Sequence, residues 1–97
     1  MSDDALEVRD QPDDRRYEVW AAGERAGFAA YELREGVISF THTEIADRFE
    51  GAGVGSQLVR GALDDVRAAG RLRVEAPCPF VSAWIERHPE YQDLLAS

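Results

Sequence analysis

The chain has 97 residues, a hydrophobic content of 44 % and a net charge of −8, values that indicate one globular domain. This acidity argues against binding to a nucleic-acid backbone, which needs a positive surface. No stretch is apolar for long enough to span a membrane, and the acidic amino terminus lacks the apolar core of a secretory signal. Cys78 is the single cysteine, so we expect no internal disulfide, no metal site and a cytoplasmic location.

The first half of the chain predicts a meander of antiparallel strands. Runs rich in aromatic and β-branched residues predict strands over 16–21, 26–33 and 37–45, and the run 5–9 could form a further one. The connections between these runs are short and contain glycine, which is typical of hairpins.

The second half changes to a helical period. Apolar residues recur every four positions after residue 53, which predicts a helix of about four turns ending near Gly70. These positions are Val54, Leu58, Ala62 and Val66. A short strand over 72–76 and a second helix from Phe80 to His88, stopped by Pro89, complete the chain. The order predicts an α+β domain over 1–97, with a mostly antiparallel sheet, one βαβ unit and two covering helices.

A glycine-rich loop joins the strand 37–45 to the first helix. Gly51, Gly53 and Gly55 stand at alternate positions just before the helical period. The first amides of a helix lack intrahelical partners, and an anion such as a diphosphate could satisfy them if no side chains intervene. A flexible connection or close helix–sheet packing would also explain the glycines. The lysine-containing phosphate loop is excluded because the chain has no lysine, and the dinucleotide pattern fails at Ser56.

The segment RFEGAG, from Arg48 to Gly53, resembles the [RQ]-x-x-G-x-[GA] signature of the GNAT N-acetyltransferase superfamily. The closest resemblance is to a short subfamily with three further segments in the same order. These are His42-Thr43-Glu44, Cys78-Pro79-Phe80 and His88-Pro89-Glu90-Tyr91. The likeness extends from Val8 to Tyr91 and implies a GNAT-like acyl-CoA N-acyltransferase fold with a truncated C-terminal part.

This resemblance implies acetyl-CoA as the ligand and a set of residues that would hold it. The main chain of the signature loop would bind the pyrophosphate. The residues concerned are Arg48, Phe49, Glu50, Gly51, Ala52, Gly53, Val54, Gly55 and Ser56. The pantetheine arm would pair with the strand edge at Thr43, Glu44 and Ile45, where this strand and the next splay apart. The thioester would then lie between 41–45 and 75–78.

Acetyl transfer to an amine needs a base, and His42 and Glu44 are the candidates. A strict period of two along the strand places Ile38, Phe40, His42 and Glu44 on one face. His42 could accept a proton near neutral pH, and Glu44 could do so directly or through water. Both could equally be surface residues at the end of a strand.

Cys78 is the third catalytic candidate. It follows the neighbouring strand at the start of the last helix, whose amino terminus could acidify a thiol. Cys78 could accept the acetyl group as a transient thioester with His42 as base, or it could be a small residue packed beside the thioester. Tyr91 could supply a proton to the leaving group or could be a packed anchor.

The sequence therefore predicts an N-acetyltransferase acting on a small-molecule amine, a polyamine or a protein, as a monomer or a homodimer. Many GNAT members carry a tyrosine on the last-but-one helix and two further strands, whereas this chain has Trp84-Ile85-Glu86 in that region. An acyl-CoA-binding module or sensor without catalysis is the alternative, and a nucleotide-binding adaptor using the same loop is a weaker one.

Overall fold

A computed structural model describes residues 6–96. The strands are β1 (Leu6–Gln11), β2 (Arg16–Ala21), β3 (Glu24–Arg34), β4 (Val37–Ile45) and β5 (Arg73–Glu75). The helices are α1 (Val54–Ala69) and α2 (Pro79–Glu86), and 3₁₀ turns cover Pro12–Asp14, Asp47–Phe49 and Pro89–Leu94. The predicted strand over 5–9 begins at a residue that lies outside the described part.

The five strands form one sheet in the order β1-β2-β3-β4-β5. Neighbours among the first four strands are antiparallel, whereas β4 and β5 are parallel. The helix α1 connects β4 to β5, which is the crossover that a parallel pair requires. The predicted α+β class, with hairpins first and one βαβ unit after them, is confirmed.

One hydrophobic core lies between the sheet and the two helices. The helix α1 packs against β1, β2 and β3, and α2 packs against β4. Val81 of α2 and Leu63 of α1 meet beside Phe40 of β4, and all three side chains are buried. The four-residue period of α1 supplies this contact, because its apolar stripe is its buried face. Gly70 ends α1 as predicted, with a φ of +70° and its N–H donating to Val66 O.

The opposite face of the sheet carries polar side chains. Glu18 of β2 is only 4 % exposed on this face and accepts hydrogen bonds from Arg16, Trp20 and Arg25. Burial raises the pKa of this carboxyl, but the three hydrogen bonds outweigh burial and hold the pKa below its ordinary value. The three donors thus explain how a carboxylate is tolerated there.

A β-bulge in β4 changes which side chains face the helices. Ala30 pairs with His42 and Tyr31 pairs with Phe40, so Thr41 is an extra residue in β4. Ile38 and Phe40 are buried before the bulge, whereas His42 and Glu44 are exposed after it. The prediction that these four residues share one face is therefore wrong, because one inserted residue reverses the alternation.

The strands β4 and β5 separate soon after they begin. Their pairing covers Val37–Ser39 of β4 only, and Cys78 N then donates to Phe40 O at 3.1 Å. Beyond this bond, no strand within residues 6–96 lies beside β4 on this edge. Ala46 N donates to Ala26 O across the β3–β4 ladder. By antiparallel alternation, the main-chain groups of Thr43 and Ile45 point away from β3 and towards the open edge.

The other edge of β5 is partly covered by the end of the described chain. Leu95 forms a bridge with Val74, and Ala96 N donates to Val74 O at 2.8 Å. Among the described helices, neither α1 nor α2 combines the length and apolarity needed to cross a membrane.

Candidate functional site

A cleft of about 600 Å³ opens where β4 and β5 separate. One wall is the end of β4 with the loop that follows it, the floor is the first turn of α1, and the other wall is α2. Its lining comprises Thr43, Ile45, Phe49, Glu50, Gly51, Gly53, Val54, Gly55, Ser56, Phe80, Trp84, Arg87 and His88. Most of the residues that the sequence assigned to ligand binding therefore lie around a single cavity.

The three glycines of the loop have two different structural reasons. Gly51 and Gly53 have φ values of +84° and +78°, in the left-handed region that other residues rarely adopt. No atom lies within 4 Å of a Cβ placed on either residue, so both face open space. At Gly55 a Cβ would lie 2.7 Å from Phe80 Cζ, which makes this glycine a point of close packing between α1 and α2. Close packing thus explains Gly55, though against α2 and not against the sheet, whereas the diphosphate role of Gly51 and Gly53 stays a prediction.

The first turn of α1 presents unpaired amides to the cleft. Gly53 is the N-cap residue, no side chain caps the helix, and the first bond of the turn is from Gln57 N to Gly53 O at 3.1 Å. Within residues 6–96, the N–H groups of Val54, Gly55 and Ser56 have no hydrogen-bond acceptor. Amides at a helix start carry partial positive charge, so this end of the cleft is suited to an anion.

The signature arginine does not line the cleft. The guanidinium of Arg48 pairs with the carboxylate of Glu24, at the start of β3, and also lies over the ring of Phe49. Ala52 likewise faces away and lines a neighbouring groove with Leu6 and Phe49. Neither side chain lines the cleft, and a role of these two positions in ligand binding, mainly through the main chain, stays a prediction.

The structure separates Cys78 from the other two catalytic candidates. His42 Nε2 and Glu44 Oε2 are 2.8 Å apart on the outer face of the sheet, where the His42 ring also contacts Phe28. Cys78 is buried on the helix side, and its Sγ lies 3.4 Å from Thr43 Oγ1. The residue that meets Cys78 is therefore Thr43, and the catalytic roles of Cys78, His42 and Glu44 stay predictions.

The helix α2 contributes a wall that the sequence did not predict as a site. Trp84 is buried, and its Nε1 donates to Ser56 Oγ at 2.8 Å. The His88 ring stacks on Trp84 at 3.8 Å, and its Nδ1 donates to Trp84 O at 2.7 Å, which caps the end of the helix. The residues of this wall follow helical spacing, which is the signal in the sequence that could have identified them as one face. They are Phe80, Trp84, Arg87 and His88.

Tyr91 is an anchor between the end of the chain and α1. Its hydroxyl donates to Asp64 Oδ1 at 2.7 Å and accepts a bond from Arg60 at 3.3 Å. The hydrogen bond to Asp64, together with burial, raises the pKa of Tyr91. Tyr91 is not among the residues that line the cleft, so its packing explains it without a catalytic role.

Comparison with known proteins identifies the family. The family model described as GCN5-related N-acetyl-transferase matches residues 16–94. The solution structure of a GCN5-like protein from Staphylococcus aureus has a TM-score of 0.71 at 22 % identity, over 100 % of this chain and 92 % of that one. This structural likeness shows the fold. A search of curated proteins gave no match. Because the family model covers most of its length, the chain belongs to the GCN5-related N-acetyltransferase family.

Proposed function

We propose that the chain binds acetyl-CoA in the cleft and transfers its acetyl group to an amine. The acceptor would be a small molecule, a polyamine or a protein. The observation that carries this proposal is the row of amides from Val54 to Ser56, which lack acceptors within residues 6–96 and face a cleft in a chain of this family. The unpaired edge of β4 supports it at the other end of the same cavity.

The glycine loop fits a diphosphate. Gly51 and Gly53 have no side chains, and the space beside them is open, so a ligand could approach the main chain closely. Val54, Gly55 and Ser56 would donate their N–H groups to phosphate oxygens, in the manner of other helix starts that bind anions. The other loop residues, from Arg48 to Ala52, would take part through their main chain.

The edge of β4 fits the amides of a pantetheine arm. The main-chain groups of Thr43 and Ile45 point to this edge, where a ligand could pair with them as an added strand would. Glu44 lies between them, and its own main chain faces β3. The side chains of Thr43 and Ile45 also line the cleft, so they would bound the arm laterally.

When bound, acetyl-CoA supplies an acetyl group activated as a thioester. His42 and Glu44 would serve as the base that removes the proton from the amine. A carboxylate only accepts hydrogen bonds, so in a neutral His42 the proton would lie on Nε2, towards Glu44, and Nδ1 would be free to accept one. The N–H of Cys78 donates to Phe40 O at the point where β4 and β5 separate. Because the thioester would lie in this gap, we propose that Cys78 lies beside the reacting group.

A binding module without catalysis is the second candidate. It is favoured by one observation, which is that His42 and Glu44 lie on the face of the sheet opposite to Cys78 and the cleft. If this separation persists with ligand bound, the chain would hold acetyl-CoA without a base beside the thioester. This candidate predicts binding of acetyl-CoA with no turnover.

Two measurements on the purified protein test these proposals in sequence. Calorimetric titration with acetyl-CoA should give saturable binding, and addition of amines or peptides should then release free CoA faster than buffer hydrolysis. Binding without release for every acceptor in a broad panel would leave the binding module. Absence of binding would reject both. An intact mass spectrum after mixing with acetyl-CoA would show whether Cys78 becomes acetylated.

A further inference from the structure

The cleft has few charged side chains for a ligand that carries several negative charges. Coenzyme A has a diphosphate and a ribose 3′-phosphate, whereas the chain has a net charge of −8. Among the residues that line the cleft, the charged side chains are Glu50 and Arg87, together with the titratable His88. Arg87 is thus the one lining side chain with a permanent positive charge.

The arginine of the loop signature is not available for this task. Arg48 pairs with Glu24 and lies outside the lining of the cleft. In the described part of the chain, no ion pair joins Arg87 to a carboxylate. A positively charged side-chain contact with phosphate therefore falls to α2 and not to the loop.

Several contacts hold Arg87 beside the first turn of α1. Its N–H donates to Ala83 O and to Trp84 O, so its main chain is fixed to the end of α2. Trp84 is bonded to Ser56 Oγ at 2.8 Å, which ties this end of α2 to the turn that carries the unpaired amides. The ring of His88 stacks on Trp84 and adds to this packing. The guanidinium, which is exposed, thus starts from a fixed point on the wall of the cleft.

We propose that Arg87 forms a second phosphate subsite of the cleft, in addition to the amides of Val54, Gly55 and Ser56. The inference rests on the proposed function, because it concerns the same ligand. A guanidinium offers paired donors that match the oxygens of a phosphate, and such charge-assisted bonds are among the strongest in proteins. The phosphate is either the diphosphate or the ribose 3′-phosphate, both of which carry the chemistry that Arg87 recognises.

The test compares Arg87→Gln with Arg71→Gln, an exposed arginine that does not line the cleft. Both variants remove one positive charge, so the change in net charge is matched. Calorimetry with CoA and with 3′-dephospho-CoA should show that Arg87→Gln weakens CoA binding by about tenfold or more. Arg71→Gln should stay within about twofold of the unmodified protein. A loss seen with both ligands assigns Arg87 to the diphosphate, and a loss seen with CoA alone assigns it to the 3′-phosphate.

A measurement of stability is needed as a control, because Arg87 lies at the end of a helix. A cation there also stabilises the helix through its dipole, so thermal unfolding is measured for each variant. Arg87→Lys keeps the charge and should recover part of the affinity, though not the paired geometry. Unchanged CoA binding in Arg87→Gln, or equal losses in the two Gln variants, would overturn the subsite and leave the proposed function standing. Failure of the unmodified protein to bind CoA would overturn both.

Discussion

Gly53 combines a left-handed backbone with an open place beside the cleft. Its φ of +78° disfavours any residue with a Cβ, and a valine there would also project into the space assigned to the diphosphate. The backbone requirement and the ligand-binding role of Gly53 can be tested separately. Gly36, in the turn between β3 and β4, has the same backbone requirement but does not line the cleft. Gly36 has a φ of +73° and equally open surroundings.

We predict that Gly53→Val abolishes measurable CoA binding, whereas Gly36→Val leaves it unchanged. Both substitutions should cost about 1–2 kcal/mol in the free energy of unfolding, because the strain is similar. Calorimetric titration and urea unfolding of the two variants give the comparison. Normal CoA affinity in a folded Gly53→Val protein would contradict the placement of the diphosphate.

Cys78 is fixed at the point where β4 and β5 part, and its Sγ lies 3.4 Å from Oγ1 of Thr43, a residue that lines the cleft. Cys78→Ala should therefore lower the rate of transfer by about tenfold or more while changing the affinity for CoA little. Steady-state CoA release and calorimetry measure the two quantities.

Cys78→Ser keeps nearly the same side-chain volume. It therefore distinguishes a covalent role of the thiol from a role in packing alone. If Cys78 is a packed wall, the serine variant should retain most of the transfer. A serine variant without transfer, together with an acetyl adduct on the unmodified protein, would instead assign the thiol a covalent role.

At the scale of elements, α1 depends on a close approach to β1. A Cβ placed on Gly61, in the middle of α1, would lie 2.7 Å from Val8 Cγ2 and 2.8 Å from Val8 Cβ. The branched side chain of Val8 has little freedom to move aside. The helix thus accepts a residue of poor helical propensity because the strand lies against it.

We predict that Gly61→Ala destabilises the protein by about 1–3 kcal/mol, although alanine in an open helix would stabilise it by about 1 kcal/mol. In a Val8→Ala background the same substitution should become neutral or stabilising, because the crowding is relieved. Chemical denaturation of the four proteins forms a double-mutant cycle. A stabilising Gly61→Ala in the unmodified background would show that α1 and β1 do not pack as described.

The bulge in β4 is the element-scale feature that shapes the site most. It turns Thr43 and Ile45 towards the cleft and places His42 and Glu44 on the outer face. A bulge depends on how a strand pairs with its neighbour, and nothing in the residue pattern of 37–45 marks Thr41 as the extra residue. The wrong prediction that His42 and Glu44 share a face with Ile38 and Phe40 therefore arises from the pairing of β4 with β3. The sequence of one strand alone does not determine this pairing.

At the scale of the whole molecule, the local patterns were sufficient for the architecture. The strands 16–21 and 37–45 have their predicted bounds, and α1 ends at Gly70 as its period indicated. The 3₁₀ turn Pro89–Leu94 was missed, because a proline that ends one helix can also begin the next turn. The place of Arg87 in the cleft was missed too, since it depends on how α2 packs against α1.

The central claim is that the amides at the start of α1 hold the phosphates of coenzyme A, and the amide resonances of the ¹⁵N-labelled protein test it most directly. On titration with CoA, the account predicts that the largest shifts occur at Val54, Gly55 and Ser56, with the amides of Gly36 and of Gly70, at the other end of α1, unaffected. Pantetheine, which lacks phosphates, should leave the three amides unchanged. Saturation with CoA that does not perturb Val54, Gly55 and Ser56 would contradict the account.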